Sequence, residues 1–363
     1  NITGWLFIAA VLALYGLYFL AYNLRAGYPY VSYTLSAISF IMLIAVPILT
    51  MRSMAEERHS RTDQLVLTAP VSLGKMIFGK FLAMVGVFTV AVAVIAVTPL
   101  VLAAFGTVPM GENYVAVLGF WLYGCTCIAV GMLASALTES QVIAAVVAFA
   151  FLFLGYMMNS ITGLIGDHLI TKVLGAYDLY TPLQSFMSGC LDLTGVVYFV
   201  SVTALCLFLT CQCVQKRRWS MTTKKLTTGM FSVAMIVVGF TVAVAVNMVV
   251  KEMPSSWTAV DATSTKLYSL TDTTKDYVKN LSQDVTIYVL SSEKSADSTL
   301  AETLQRYEDL SKHLNVVYKD PAKSPNFYQQ YTDSAPSQNS MIVVSDARSR
   351  VVDYSDIYEY CLL

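Results

Sequence analysis

Charged residues are scarce in this chain and are missing altogether from long stretches of it. They make up 13% of its 363 residues, whereas 56% are hydrophobic. The windows without Asp, Glu, Lys or Arg are residues 1–24, 26–51, 81–111, 113–138, 140–166, 193–215 and 226–250. Because about 20 apolar residues at helical rise cross a bilayer core, each window can span a membrane. This composition excludes a single soluble domain and predicts a polytopic α-helical membrane protein.

Ionisable side chains are also missing from the centres of these predicted spans, and Glu139 lies at a membrane edge. A carrier driven by an ion gradient usually needs a charge at depth, so this lack argues against secondary transport. The three histidines, His59, His168 and His313, lie on three separate segments. No His-based metal or nucleophilic site is therefore predicted.

The motifs for metals and nucleotides are incomplete. The two Cys-x-Cys pairs, at 125–127 and 211–213, share their windows with no His or carboxylate, so we interpret them as packing residues. Residues 74–80 have the spacing of a phosphate-binding loop, but Phe81 follows where Ser or Thr is needed. We predict no catalytic, cofactor-binding or metal-binding residue, no enzyme activity and no nucleic-acid partner for this chain.

One polar segment, residues 52–80, interrupts the apolar windows. Its charged and histidine residues are Arg52, Glu56, Glu57, Arg58, His59, Arg61, Asp63, Lys75 and Lys80. The spacing of Glu57 and Arg61 favours an ion pair that supports a short helix. Pro70 predicts a helix stop, and Ser72 is placed to cap a second, interfacial helix that leads into the third span. This density of charge between two spans indicates a surface that meets a soluble partner.

The orientation follows from the basic residues in the loops. The loops at 52–80 and 216–225 hold five Lys or Arg each, whereas the loops on the opposite side hold Arg25 and Lys172. Basic residues in short loops mark the cytoplasmic side. We therefore predict that residues 52–80 are cytoplasmic, that residues 220–250 form a basic linker and a seventh span, and that the chain after them is extracytoplasmic.

The segment between the fifth and sixth windows, residues 160–192, is too apolar for a free loop. Its apolar residues are punctuated by Gly163, Gly166 and Gly175. We predict short helices that lie in, or dip into, the outer leaflet. A capped extracellular loop is the alternative.

The chain from residue 251 onward has a different composition and pattern. Residues 251–363 hold 11 Lys or Arg and 16 Asp or Glu, a net charge of −5, whereas residues 1–250 hold 12 and 8, a net charge of +4. The predicted elements are strands at 284–290, 315–318 and 340–344 and an amphipathic helix at 298–312. This order predicts a small α/β domain.

Neither end of the chain has the pattern of a natural boundary. The first window begins at Asn1 without an initiator Met or a basic segment, so it is not interpreted as an intact signal peptide. The pattern at residues 357–360 runs on without a stop signal. We expect further residues at both ends.

Three segments resemble one family of membrane proteins. They are Pro47-Ile-Leu-Thr-Met-Arg-Ser-Met-Ala-Glu-Glu-Arg58, its continuation at 62–72, and residues 186–198. They resemble the permease subunits of ABC-2 type exporters, of the gliding-motility GldF-like kind, and the likeness extends over residues 1–219. It implies six spans and a cytoplasmic coupling helix that rests on an ATP-binding subunit. The residues that match this contact are Glu56, Glu57, Arg58, Thr62, Asp63 and Gln64.

A second resemblance covers the last part of the chain. Residues 266–275, 285–288 and 318–321 look like the extracytoplasmic domain of the companion GldG-type protein. This implies that permease and companion are fused here. The resemblance further implies two copies of an ABC ATP-binding subunit that carries ATP and Mg²⁺, a homodimer or pseudo-dimer of the permease, and location in the inner membrane of a bacterial cell.

The sequence leaves competing functions. Our first hypothesis is the permease of an ATP-driven exporter, which couples ATP hydrolysis on a separate subunit to translocation. The alternative is a membrane-anchored extracytoplasmic module that binds a surface polymer or a partner protein. A polytopic enzyme ranks third. No residue pattern predicts the substrate.

Overall fold

The chain folds into two compact units, residues 1–253 and 254–363. The structure is a computed structural model. It describes residues 2–60, 72–165, 174–219, 225–251, 253, 258–263, 272–281, 283–292, 296–321, 324, 326–332, 334–345 and 348–357. The first unit is helical, and the second combines helices with a sheet.

Among the described residues, six helices are long and apolar enough to cross a membrane. Numbered as spans 1 to 6, they are Ile2–Arg25, Ser32–His59, Leu73–Ala103, Met110–Leu137, Gln141–Ile165 and Leu193–Gln215. Each overlaps one of the first six windows, and spans 2 and 3 extend into the charged segment 52–80. A charged side chain within the bilayer is costly, so charges collect where the helices end. The predicted fold class is confirmed.

The first three spans are not uniform α-helices. Span 1 is α-helical over Ile2–Phe19 and π-helical over Leu20–Arg25. Span 2 consists of Ser32–Thr50 and a short polar helix, Arg52–His59, joined at Met51. Span 3 consists of Leu73–Ile95 and Thr98–Ala103. Span 6 continues as a helix to Trp219.

A further helix, Lys225–Lys251, follows span 6. Its 27 residues correspond to about 40 Å at helical rise, and its apolar part is Ala234–Val250. It packs on span 6, where Asn247 Nδ2 donates a hydrogen bond of 2.6 Å to Ser201 Oγ. A helix is therefore present where the seventh span is predicted, and its crossing of the membrane stays a prediction.

Span 4 forms the centre of the bundle and packs against spans 2, 3, 5 and 6. Of its apolar window, 89% is buried, compared with 56% or less for each of the other spans. Glycines make this packing possible, because a Cβ at Gly124 would overlap the Phe88 ring and one at Gly131 would overlap the Thr50 side chain. Small residues allow helices to approach closely in a membrane.

The helix Tyr180–Met187 lies between spans 5 and 6 and also packs on span 4. Its Phe186 side chain is fully buried, and a Cβ at Gly119 would overlap it. A 3₁₀ turn, Gly175–Tyr177, precedes this helix, and strand β1, Cys190–Asp192, follows it. Within the predicted outer segment, residues 166–173 lie outside the described residues, and the depth of the segment in the membrane stays a prediction.

The second unit is built on a four-stranded sheet. The first strand of the unit, β2 (Ala259–Asp261), is not part of this sheet. The strands of the sheet are β3 (Val285–Val289), β4 (Leu314–Tyr318), β5 (Met341–Ser345) and β6 (Ser349–Val352). Their order in the sheet is β4-β3-β5-β6, with β3 parallel to β4 and antiparallel to β5, and β5 antiparallel to β6. Its helices are Asp272–Lys279, Ser298–Leu310 and Tyr354–Ile357, with a 3₁₀ turn at Phe327–Gln330.

This unit has its own hydrophobic core. The buried core residues are Val278, Ile287, Val289, Leu300, Leu304 and Leu314. Ile287 and Val289 share one face of β3 because strand residues alternate. Asp297 caps the helix Ser298–Leu310 by accepting a hydrogen bond of 2.8 Å from the Leu300 amide. The predicted strands, the amphipathic helix and the α/β class of this unit are confirmed.

Candidate partner-binding site at the polar helix

The polar helix, Arg52–His59, has two different faces. Met54 and Ala55 are buried against the bundle, whereas Arg52, Glu56 and His59 are exposed. The exposed residues are spaced by four and three positions, which places them on one side of a helix. The sequence after Met51 thus forms a helix that lies on the bundle with one face and presents charge with the other.

A hydroxyl group from span 4 holds the joint at Met51, between the helix Ser32–Thr50 and the polar helix. Ser135 Oγ donates a hydrogen bond of 3.0 Å to the Met51 carbonyl oxygen. Ser135 Oγ in turn accepts hydrogen bonds from the amides of Met54, at 3.1 Å, and Ala55, at 3.0 Å. Ser135 is fully buried, so these bonds are shielded from water.

Two ion pairs hold the sides of the polar helix. Glu57 pairs with Lys80 at the start of span 3, and the Lys80 ammonium also donates a hydrogen bond of 3.0 Å to the Ser53 carbonyl. Arg58 pairs with Glu139, between spans 4 and 5, over 2.8 Å. The four side chains are between 24% and 63% exposed, so each pair contributes about 1 kcal/mol or less. The helix is therefore fastened to spans 3 and 4 by contacts that water can reach.

The structure separates the six predicted contact residues. Glu56 lies on the exposed face and is free of the bundle packing that covers Met54 and Ala55. Glu57 and Arg58 are directed to Lys80 and Glu139 of the same chain. Thr62, Asp63 and Gln64 lie outside the described residues. Their role as partner contacts stays a prediction for all six.

Two local predictions have different outcomes. The predicted pair of Glu57 with Arg61 falls partly outside the described residues, since Arg61 is among those not described. Ser72 does occupy the N-cap position of Leu73–Ile95, with φ −67° and ψ 132°, but its side chain makes no capping hydrogen bond. The predicted side-chain cap is wrong. The exposed Ser72 hydroxyl can bind water instead. The predicted interfacial helix is the beginning of span 3 itself.

The sequence did not predict three residues that bind the polar helix, namely Ser135, Lys80 and Glu139. Lys80 and Glu139 carried one usable signal, because each lies at the predicted cytoplasmic end of a span, on the same side as Glu57 and Arg58. Ser135 carried none, since a lone serine in an apolar window is common in membrane helices.

The described part of the chain contains no group of three His, Cys, Asp or Glu side chains that could hold a metal ion. Residues 74–80 form the first turns of the helix Leu73–Ile95, in which backbone amides bond within the helix. They do not have the loop geometry that cradles a phosphate. The chemistry available at the polar helix is therefore the recognition of a charged surface.

Fold and site together define a multi-pass membrane protein with a charged helix fastened to one end of its bundle. Residues 25–214, which are 190 of the 363 residues, match the model of the ABC-2 family transporter proteins, and the chain belongs to this family. Residues 264–357 match DUF7088, a domain of unknown function. No curated protein and no solved structure matches the chain. The family is one of membrane transporter components and implies a membrane context and an ABC ATPase partner.

Proposed function

We propose that this chain is the membrane-spanning permease subunit of an ABC-2 type exporter and that a separate subunit hydrolyses ATP. The observation that carries the proposal is the division of the polar helix into a fastened face and an exposed charged face. A helix of this kind can bind a soluble subunit on one side and move the bundle on the other. Membership in the ABC-2 family supports the same assignment.

The proposed partner is an ABC ATP-binding subunit, present in two copies, that carries ATP and Mg²⁺. Two such subunits require two permease halves, so the chain would act as a homodimer or a pseudo-dimer. Glu56 is the central contact, because its side chain is exposed beside Arg52 and His59. Opposite charges across a transient interface set register and encounter rate more than affinity.

The remaining contacts are assigned in two groups. Thr62, Asp63 and Gln64 follow the polar helix and would extend the contact surface, as the resemblance implies. Glu57 and Arg58 would serve at its edge, because their charged groups already pair with Lys80 and Glu139. Of the predicted residues, they are the ones that join the partner surface to the bundle.

The proposed location is the inner membrane of a bacterial cell, with the polar helix in the cytoplasm and residues 251–363 outside it. The excess of Lys and Arg on the side of the polar helix supports this orientation. We further propose that the chain fuses a GldF-like permease to a GldG-type domain. The separate core of the second unit and its separate domain match support a fusion of two modules.

A membrane-anchored interaction module is the second candidate, in which the second unit binds a surface polymer or a protein. The separate hydrophobic core of the second unit also favours this second candidate. Deletion of residues 255–363 distinguishes the two functions. A permease without this unit should still bind its ATP-binding subunit, whereas an anchor without it loses its binding activity.

The test of the first proposal is a charge reversal at the centre of the exposed face. Glu56→Arg should leave the protein in the membrane at its normal level but lower the amount of ATP-binding subunit that co-purifies, about tenfold for a lost charge-assisted contact of about 1.4 kcal/mol. Arg25→Glu is the matched control, because Arg25 is an exposed charge at the C-terminal end of span 1. The proposed orientation places this end on the opposite side of the membrane from the polar helix. Equal recovery of the subunit with both variants would contradict the proposal.

A further inference from the structure

The helix Ser32–Thr50 and the polar helix meet at Met51, whose amide donates to the Pro47 carbonyl. In a continuous helix, the carbonyl of residue 51 would accept from the amide of residue 55. Here the Met51 carbonyl accepts from Ser135 Oγ, and the Ala55 amide donates to the same Oγ. A side chain inserted into the ladder is a recognised cause of a helix bend.

The Ser135 hydroxyl thus bonds to the backbone of the joint from another span. It uses its one donor and two acceptor sites, since it bonds to the Met51 carbonyl and to the amides of Met54 and Ala55. One turn away on span 4, a Cβ at Gly131 would overlap Thr50, the residue before the joint. The joint is therefore fixed to span 4 by bonding and by close packing.

The two ion pairs differ from this contact in their surroundings. They are partly exposed, so their side chains can exchange partners with water or with a docked subunit at low cost. The bonds of Ser135 are fully buried, and breaking them would leave polar backbone groups unsatisfied in an apolar environment. When the polar helix moves, the ion pairs can break and form again, but Ser135 must move together with the polar helix to keep its buried bonds.

We propose that Ser135 is the positioning residue through which a movement of the polar helix is passed to span 4, the central span. The inference rests on the proposed function, in which an ATP-binding subunit docks on the polar helix. It adds that the first transmembrane element to respond is span 4, which packs against four other spans, rather than the helix Ser32–Thr50, to which the polar helix is covalently joined.

The test measures ATP-dependent movement at two points of the full-length protein purified with its ATP-binding subunit. An environment-sensitive fluorophore is attached at His59→Cys, on the exposed face of the polar helix, or at Tyr114→Cys, which is 40% exposed at the opposite end of span 4. The protein without the added cysteine gives the background labelling. Addition of ATP should change the fluorescence at both positions.

Ser135→Ala should keep the ATP-dependent change at residue 59 and reduce the change at residue 114 roughly fivefold, the scale on which single residues alter coupling between sites. Thr210→Val is the control, because Thr210 carries an equally buried hydroxyl whose Oγ1 bonds to Cys206 O in its own helix. This control should leave both changes intact. A folding check by size-exclusion chromatography accompanies each variant.

The outcomes separate this inference from the proposed function. An unreduced change at residue 114 in Ser135→Ala would overturn the inference alone. The absence of any ATP-dependent change at residue 59 in the otherwise unsubstituted protein would overturn the proposed function and the inference with it. If Ser135→Ala does not fold, Ser135→Cys replaces it, since a thiol has similar shape but bonds weakly, and the same criterion at residue 114 applies.

Discussion

The two ends of span 4 are both fastened by buried side chains that bind the backbone of a neighbouring segment, but their surroundings differ. At the end near Met110, Asn113 Oδ1 accepts a hydrogen bond of 2.7 Å from the Val31 amide, and its Nδ2 donates one of 3.1 Å to the Pro29 carbonyl. Asn23 holds the same segment through the carbonyls of Tyr28 and Tyr30. Neutral buried amides close this end.

At the other end, the buried hydroxyl of Ser135 binds the backbone of a helix that carries charged side chains. The polar helix that it binds is held at its edges by the pairs of Glu57 with Lys80 and of Arg58 with Glu139. These pairs are partly exposed and sensitive to salt. Both ends thus have a buried side chain that bonds to backbone. At the Asn113 end its neighbours are neutral amides, whereas at the Ser135 end they include partly exposed ion pairs.

The difference teaches which contacts at the two ends of span 4 hold more strongly. Buried amide bonds cost about 1–3 kcal/mol each when one partner is removed, whereas exposed ion pairs contribute about 1 kcal/mol or less. The Asn113 contacts should therefore contribute more to stability than the ion pairs that hold the polar helix at the other end. The predictions below test this asymmetry, beginning with the largest expected effect.

Asn113→Leu should destabilise the protein by about 3 kcal/mol, because it leaves the Val31 amide and the Pro29 carbonyl unsatisfied in a buried site. Thermal unfolding of the detergent-solubilised protein measures this as a lower melting temperature. Tyr114→Leu is the control, since Tyr114 is 40% exposed and adjacent. A melting temperature of Asn113→Leu equal to that of the control would show that the Asn113 contacts are not the stronger ones.

Gly131→Ala should destabilise the protein by about 2 kcal/mol, because the new methyl group overlaps Thr50 and overpacking costs about 1–3 kcal/mol. The higher helix propensity of Ala, worth about 1 kcal/mol, opposes this loss. Thr50→Ala in the same chain should restore part of the stability by removing the overlapping hydroxyl. A Gly131→Ala protein that melts above the unsubstituted one would contradict the close approach of spans 2 and 4.

The pair of Arg58 with Glu139 should contribute about 0.5 kcal/mol to stability, and less as salt is added. A double-mutant cycle with Arg58→Ala and Glu139→Gln, measured by thermal unfolding at low and high salt, gives the coupling between the two side chains. The Asn113→Leu effect should not depend on salt. A coupling as large as the Asn113 effect would remove the asymmetry between the ends.

The smallest expected effect is a pH dependence confined to the closed end. Burial, with Glu112 and Tyr33 nearby, raises the pKa of Tyr30 above its ordinary value. A group whose folded pKa is raised contributes stability below its unfolded pKa, about 10, and this contribution is lost as the pH rises through the folded pKa. Tyr30→Phe should therefore unfold with less pH dependence above about pH 10. The same dependence in both proteins would contradict the assignment to Tyr30.

The spans could be predicted from sequence because the cost of burying charge in a bilayer is local and leaves long charge-free windows. The α/β class of the second unit was predictable for a similar reason, since alternation on β3 and amphipathicity of Ser298–Leu310 are local patterns. Both depend on the solvent that surrounds an element. Neither depends on which element is its neighbour.

The arrangement of the polar helix depends on neighbours and could be predicted only in part. The helix itself and its charge were visible, but the partner of Glu57 in the structure is Lys80, 23 positions further along the chain. Ser135 binds a backbone joint 80 or more positions away, which no spacing rule reaches. Ser72 shows the reverse error, because a good capping residue at the right position does not form the cap when water is available to its hydroxyl.

The most direct test of the account places a photo-crosslinking amino acid at Glu56 in the native host and identifies the captured protein by mass spectrometry. The account predicts a crosslink to a protein with an ATP-binding cassette, and loss of this crosslink when the same amino acid is placed at Arg25. Capture of the ATP-binding subunit from residue 25 but not from residue 56 would contradict it, as would capture of lipid alone at residue 56.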